Sequence, residues 1–489
     1  MRMEISKKLA KFFGAILIFL VVAIILQSYK KNSSRADQAK SGLKIGYAEV
    51  NYTPRVGLDL VGNYRGDDYA SRGIHDSLYG KAMVAEGSNG EKTAILSVDI
   101  CNIPVESIDM MRDYVQSNSD IKAENIFIHA THTHSGPKSN LEAPEAKSYL
   151  RKAANAIIEA GKNLKPAELM VGRTTEDRVS HNRRLKAIDG TTHMVWEKFE
   201  PGFIEKPLGG KDPELITVSI EQNGETTSTL VNFGCHPTTM TGNNWLYSAD
   251  YPGYLTESVQ KAKGEDFGVL FLNAPSGNIT QVDYKVGFLD TFQECQRIGY
   301  LLGVAVLEAM RNPEPASGNG QVKTSREEVP IKKMTITDEQ YEWAKKVMKR
   351  VEKEGMPELQ PDGIPDELYA KKWMDMYLTQ NEVDNLEVMV VQIGDLAIVG
   401  LPGEIFNEFG LTIKEKSPFK NTLVVGLANG DYDYFPTEIS FSQGPEGFKP
   451  MIKGYETTPG TTSYDKGSGE KLAASAVSQL EELFSENKR

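Results

Sequence analysis

Three of the chain's seven histidines lie in Ile126-Phe127-Ile128-His129-Ala130-Thr131-His132-Thr133-His134-Ser135-Gly136-Pro137. An extended backbone alternates its side chains between two faces, so His132 and His134 are expected to point the same way and His129 the other. The apolar run before them reads as a buried strand that Ser135-Gly136-Pro137 breaks, so the two imidazoles sit where a strand opens into a loop. Neutral imidazole serves equally as a metal ligand and as a hydrogen-bonding partner, and the pair alone is compatible with both.

More donors stand at other strand ends. Val231-Asn232-Phe233-Gly234-Cys235-His236-Pro237 repeats the layout, an apolar strand ending in histidine and proline. Leu396-Ala397-Ile398-Val399-Gly400-Leu401-Pro402-Gly403-Glu404 runs through a Pro-Gly turn to a single carboxylate, after which a helix-like segment is expected to begin at Glu404. The strand at 422–427 leads into Ala428-Asn429-Gly430-Asp431-Tyr432-Asp433-Tyr434-Phe435-Pro436-Thr437, dense in turn formers and tyrosines. Two histidines, one carboxylate and an open position suit a catalytic zinc, which takes three protein ligands and leaves room for water.

These groups need a scaffold of strands, and the sequence supplies one. Strand-like runs rich in Val and Ile fall at 43–50, 78–85, 93–98, 125–132, 216–220, 229–233, 268–273, 386–400 and 422–427. Helical spacing is clearest at 145–164 and 292–310, residues 338–354 read as a solvated helix, and no internal repeat is visible. Interleaved strands and helices indicate an α/β architecture with chemistry at strand ends. The Pro- and Gly-rich stretch 312–320 reads as a surface loop, because candidate ligands lie on both sides of it.

Composition narrows the partners. With 489 residues, 40% hydrophobic and 25% charged, the chain has ample material for a core. A formal charge of −12 and a pI near 5.3 argue against nucleic acid and leave small molecules or lipids. Cys101, Cys235 and Cys295 are too few and scattered for a disulfide framework or a Cys-x-x-Cys site, and they receive no role. Arg2, Lys7, Lys8 and Lys11 precede an apolar run at 12–26, an export signal read as an uncleaved membrane anchor, with cleavage and secretion as the alternative. Residues 1–42 are therefore taken as signal or anchor plus linker and 43–489 as an extracytoplasmic catalytic body.

Taken together, the motifs resemble those of the neutral/alkaline, non-lysosomal ceramidase family of zinc amidases. The resemblance covers most of the chain from Leu43 onward. It rests on Gly73-Ile74-His75-Asp76-Ser77-Leu78-Tyr79-Gly80-Lys81-Ala82, Ser97-Val98-Asp99, Thr131 to Pro137, Asn182-Arg183-Arg184, Phe233 to Met240, Leu401-Pro402-Gly403-Glu404 and Asn429 to Thr437. It implies a layered α/β/β/α-type catalytic domain, with zinc held by His132, His236, Glu404 and Tyr434. His134 would act beside the metal, on the oxyanion or the leaving amine, and Arg183 would face the substrate headgroup. His75 and Asp99 match family positions that support either the site or a nearby loop, whereas His181 and His193 have no counterpart.

Two departures accompany the matches. Family members carry a Gly-Asp-Val-Ser-Pro type loop with a serine near the scissile amide; here Gly277-Asn278-Ile279-Thr280 aligns with it, so Thr280 would supply the hydroxyl, with Ser276 as a shifted-register alternative. The immunoglobulin-like β domain with which animal and some bacterial relatives continue is expected to be missing, since the sequence closes on a helix-like stretch at 471–487. The implied activity is zinc-dependent cleavage of the N-acyl bond of ceramide or a related lipid amide. Hydrolysis of a non-lipid amide or ester, such as an acyl-amino acid or acyl-sugar, is the alternative, and a metal-stabilised binding protein without turnover is a third. The sequence leaves the oligomeric state open.

Overall fold

A computed structural model describes residues 41–355, 357–360 and 363–486. The anchor read at 12–26 and the linker up to residue 40 lie outside the described residues. Among those described, no helix is long and apolar enough to cross a membrane.

Three sheets form the frame. The first contains β1 (Lys44–Asn51), β2 (Tyr79–Glu86), β3 (Lys92–Val98) and β4 (Ile126–Ala130), hydrogen-bonded in the order β4-β3-β2-β1. The second contains β5 (Glu168–Thr175), β6 (Glu214–Gln222), β7 (Glu225–Phe233) and β8 (Gly268–Asn273), in the order β8-β7-β6-β5. The third runs in chain order through β9 (Val322–Lys332), β10 (Val383–Ile393), β11 (Leu396–Gly400) and β12 (Asn421–Val425).

The alternation of side chains along each strand decides the layering. In β2, Ala82 and Val84 face helices α1 (Val105–Asn118) and α2 (Ala146–Lys162), while Met83 and Ala85 face inward. There they meet Val171, Val218 and Leu270 of the second sheet and Met389, Ile398 and Leu423 of the third in one shared core. The outer face of the second sheet is covered by α3 (Tyr251–Lys263) and α4 (Phe292–Ala309). Between β9 and β10 the chain makes a hairpin of α5 (Asp338–Glu354) and α6 (Asp366–Thr379), packed around Trp373. The outer face of the third sheet is covered by α7 (Asn407–Lys416) and α8 (Ser468–Glu486). Helices outside and sheets facing one another inside make the expected α/β/β/α layering.

Each sheet contains one parallel pair: β3 with β4, β7 with β8 and β11 with β12. The carboxyl ends of these pairs converge. Ala130 N–H donates to Leu427 O at 3.2 Å, Gly426 N–H to Asn273 O at 3.0 Å and Asn429 N–H to Ile128 O at 2.8 Å. Loops that leave the carboxyl ends of parallel strands are where α/β proteins place ligands, and here three sets meet.

Several local expectations are corrected. The run at 386–400 is two antiparallel strands, β10 and β11, because Gly394, at φ +60°, turns the chain where a side chain would strike Ser317 O. The expected strand at 125–132 stops at Ala130. No helix begins at Glu404; Glu404–Ile405 is a two-residue strand, and α7 starts at Asn407. Helix α3 is not among the helices expected from apolar spacing; it opens on Tyr-Pro-Gly, where Pro252 is tolerated in a first turn and Asp250 caps it by accepting from Tyr251 N–H at 2.7 Å.

Candidate metal centre

His132 reaches the site by a route different from the pleat. Its φ of +77° is a left-handed conformation that a non-glycine residue adopts at a cost, and the chain has left the strand two residues earlier. His132 N–H donates to Ile100 O at 2.8 Å, which ties the segment to the end of β3. The two imidazoles still converge, with Nε2 of His132 and Nε2 of His134 3.3 Å apart. His129, as alternation requires, faces away. It is wholly buried, with Nδ1 on Gly426 O at 2.9 Å and Nε2 accepting from Asn273 N–H at 3.1 Å, and burial lowers its pKa to about 3.

His236 leaves the end of β7 and is as deeply buried as His132. Glu404 reaches the same spot through Leu401-Pro402-Gly403, and its Oε2 lies 2.9 Å from His236 Nε2 and 3.3 Å from His132 Nε2. Tyr434 is delivered by a pairing that spans thirty residues of sequence: Glu404–Ile405 and Tyr434–Phe435 form a parallel two-strand ribbon with Glu404 opposite Tyr434. The Tyr434 hydroxyl lies 3.5 Å from His236 Nε2.

The tautomers follow from the acceptors. His132 Nδ1 lies 2.7 Å from Cys101 O and His236 Nδ1 2.9 Å from Ile279 O. A carbonyl only accepts, so each Nδ1 carries the proton and each Nε2 turns its lone pair inward. His134 behaves alike: Asn63 gives its amide N–H to Met240 O at 3.1 Å, so its Oδ1 accepts from His134 Nδ1–H at 3.2 Å. Three imidazole lone pairs, a carboxylate and a phenol thus face one space. Nε2 of His132, Nε2 of His236 and an oxygen of Glu404 lie within 4.8 Å of one another, which fits a cation between them.

The charges agree with this arrangement. Burial opposes ionisation of Glu404, yet the two histidines hold its carboxyl well below the usual range. Burial would lower His132, and Glu404 overcomes it and raises the imidazole well above its ordinary value. Burial and Arg183 push His236 down to about 4, and burial with its histidine neighbours holds His134 well below the ordinary imidazole value. In such a group the carboxylate stays charged and His134 and His236 stay neutral; a cation bound there would displace the proton that Glu404 favours on His132.

Arg183 borders the cluster. Its Nη1 lies 3.1 Å from His236 Nε2, its guanidinium lies 5.1 Å from the Tyr434 ring centre and 5.5 Å from that of Trp196, and its Nη2 is buried without a hydrogen-bond partner among the described residues.

The remaining sequence candidates lie further from the donors. Thr280 sits beside Ile279, and its hydroxyl donates to Gln281 Oε1 at 3.0 Å; Ser276 Oγ is 3.5 Å from Asn273 Oδ1. The Asp99 carboxylate accepts from Tyr79 N–H at 2.9 Å; the group that orients His132 is the carbonyl of Cys101, two residues on. His75 is exposed, stacked on Phe292 at 3.5 Å and bonded to the Tyr254 hydroxyl at 2.8 Å, which supports a loop rather than the donor cluster. The sequence motifs assign no role to Cys101 O, Ile279 O, Asn63 or Glu456. Backbone carbonyls leave no residue-type signal, and Asn63 and Glu456 stand far from any histidine motif.

Fold and site together define a layered α/β/β/α protein with a buried metal-type donor set at the carboxyl ends of three parallel strand pairs. A model of the neutral/alkaline non-lysosomal ceramidase N-terminal family matches residues 44–355, and the chain belongs to this family. It is 24% identical to neutral ceramidase B of Dictyostelium discoideum over 266 residues, 49% of this chain and 36% of that one. It is 25% identical to neutral ceramidase of Pseudomonas aeruginosa over 293 residues, 54% of this chain and 41% of the relative. The chain thus spans about a third to two fifths of the length of the curated relatives it matches. The crystal structure of the Pseudomonas aeruginosa enzyme superposes with a TM-score of 0.66 at 20% identity, covering 89% of this chain and 73% of that one. A ceramidase complexed with C2 gives 0.69 at 17% identity, covering 91% and 75%. At these identities the superpositions establish the shared fold.

Proposed function

We propose that the protein is a zinc-dependent hydrolase of N-acyl bonds, with ceramide or a related lipid amide as substrate and a fatty acid and an amine as products. The observation that carries this reading is the convergence of His132 Nε2, His236 Nε2, Glu404 Oε2 and the Tyr434 hydroxyl, with both histidines oriented through Nδ1 by backbone carbonyls. The similarity to neutral ceramidases supports the choice of substrate.

His132, His236 and Glu404 would hold the zinc, with Tyr434 completing the set. Zinc held by these residues would supply a water of pKa ~7 and would polarise an amide carbonyl. His134 stands beside that position with its lone pair turned inward and its basicity reduced, so a proton it gains is readily passed to a leaving amine. Arg183 offers its free Nη2 to a substrate hydroxyl or carbonyl oxygen. Thr280 follows Ile279, whose carbonyl orients His236, and its hydroxyl would serve the reacting amide only on leaving Gln281 Oε1. The segment before residue 40 is read as an export signal that keeps the body outside the cytoplasm at a membrane surface, where its lipid substrate resides.

The test is to purify the full chain in detergent, determine bound metal by mass spectrometry, and offer a short-chain ceramide beside an N-acyl amino acid and an N-acyl sugar. About one zinc per chain and fatty acid released from the ceramide are expected, with loss on chelation and recovery on adding zinc. Folded, metal-free protein that hydrolyses at the same rate overturns the zinc mechanism. Turnover of only the non-lipid amides replaces the substrate class.

A further inference from the structure

Glu456 has no exposed surface, lies far in sequence from every histidine motif, and is held by two arginines. Its Oε1 accepts from Arg183 Nε at 2.7 Å and its Oε2 from Arg184 Nη1 at 2.7 Å. The two arginines are not equivalent. Arg184 is fully employed in the frame, its Nη2 also donating to Lys453 O at 2.8 Å and to Gln443 Oε1 at 3.1 Å. Arg183 keeps Nη2 unpartnered and stands with Nη1 beside His236.

The segment that carries Glu456 is itself fixed. Gly454, at φ +97°, passes so close to Arg184 that a Cβ would lie 2.4 Å from Nη1, a backbone approach that only glycine permits. Thr458 ties the loop together, its hydroxyl donating to Gly454 O at 3.0 Å and accepting from Met451 N–H at 2.9 Å. Trp373 of α6 donates its indole N–H to Pro459 O at 2.7 Å, anchoring the loop to the α5–α6 hairpin. The Arg183 guanidinium lies among the rings of Trp196, Tyr434 and Tyr455 with Nη1 beside His236 Nε2 at 3.1 Å, and the charge-assisted Nε–carboxylate bond is its strongest tie, so Glu456 sets which edge faces the site.

We propose that Glu456 is a positioning residue: braced by Arg184, it holds Arg183 by Nε so that the guanidinium presents Nη2 to the substrate oxygen. The inference rests on the hydrolase reading above. Glu456 touches neither the metal donors nor substrate; it acts through Arg183. Gln in its place keeps the shape, but it loses the charge and sets an amide NH2 where one carboxylate oxygen now accepts, so one of the two arginines faces a donor.

The test combines structure and kinetics. A crystal structure of Glu456→Gln without ligand is expected to show the Arg183 guanidinium rotated away from its place between Trp196 and Tyr434, with bound metal at the level of the parent protein. In hydrolysis of a short-chain ceramide, Glu456→Gln should raise KM about tenfold, with a smaller change in kcat, as for a contact made in both ground and transition states. Glu456→Asp, which keeps the charge, should recover part of the loss and serves as the milder variant if Gln impairs folding. In the Arg183→Ala background Glu456→Gln should add nothing, since contacting residues that act as one unit are not additive. Multiplicative losses, or an Arg183 that stays in place with unchanged KM, overturn the proposal. A parent protein that cleaves no N-acyl bond removes the hydrolase reading, and the crystallographic arm still decides whether Glu456 places Arg183.

Discussion

At the scale of single residues, the site divides its histidines by what their second nitrogen touches. His132 and His236 each spend Nδ1–H on a backbone carbonyl, whereas His134 spends it on the side chain of Asn63. His236→Ala removes a donor outright and is expected to cost bound metal and more than about 100-fold in activity, beyond the 10–100-fold typical of losing an outer partner; metal analysis with kinetics checks it. His134→Ala is expected to keep the metal and lower kcat by roughly 10²–10⁴-fold, the range for a lost general acid or base. Metal lost together with activity would make His134 a ligand instead. His132 and His134 were legible from their spacing, but their geometry was not. The sequence places both on a pleat, and the structure brings them together after the strand through the left-handed backbone of His132, because its amide bonds to Ile100 O.

At the scale of elements, the site depends on short pairings that hydrophobic periodicity does not register. The ribbon of Glu404–Ile405 with Tyr434–Phe435 is two residues deep, and it alone sets Glu404 opposite Tyr434. Gly403 makes it possible: at φ +64°, a Cβ there would lie 2.6 Å from Asp433 O. Gly403→Ala combines a backbone cost of about 1–2 kcal/mol with that clash, and is expected to lower both thermal stability and metal affinity, read by calorimetry and metal titration. A second tie is Asn429, also at positive φ. It accepts from Ile128 N–H at 2.8 Å and donates to Glu387 Oε1 at 2.8 Å, the same carboxylate that Arg112 grips through both terminal nitrogens. Arg112→Ala leaves that carboxylate to Arg326 and Asn429 and is expected to lower stability in denaturant unfolding by less than the about 3–5 kcal/mol of an uncompensated buried charge. The long strands and the helices α2, α4 and α5 were legible because their apolar spacing is regular. The ribbon and helix α3 were not, because Pro and Gly in their sequences signal turns.

At the scale of the molecule, each of the three sheets sends one donor or more to the centre: His132 from the first, His236 from the second, Glu404 and Tyr434 from the loops of the third. A metal bound there would tie three layers together. Chelation is therefore expected to lower the unfolding temperature, with about 4 kcal/mol lost if free metal had stood at a thousand times its dissociation constant; scanning calorimetry with and without chelator tests this. A separate pH dependence arises at Asp76 and Asp99, on the far side of the strand ends beside Lys81. Burial is the main cause that raises each to about 6. A carboxyl raised in the folded state binds its proton more tightly there than when unfolded, so its stabilisation is complete below the unfolded value near 4. That stabilisation is lost as the pH rises to about 6. Asp99→Asn is expected to flatten the decline of stability between about pH 4 and pH 6 in denaturation curves taken across that range.

The sequence by itself determined the elements with regular apolar spacing, the strand ends that carry His132, His236 and Glu404, and the family motifs that include Tyr434 and Arg183. These are local properties, fixed by periods of two and 3.6 residues and by turn chemistry over a few positions. Only the tertiary structure decided which carbonyls set the imidazole tautomers, that Glu404 and Tyr434 stand opposite each other, and that a carboxylate some 270 residues away holds Arg183. Those outcomes depend on register between distant segments and on backbone groups that every residue shares, and neither leaves a mark in the order of side chains.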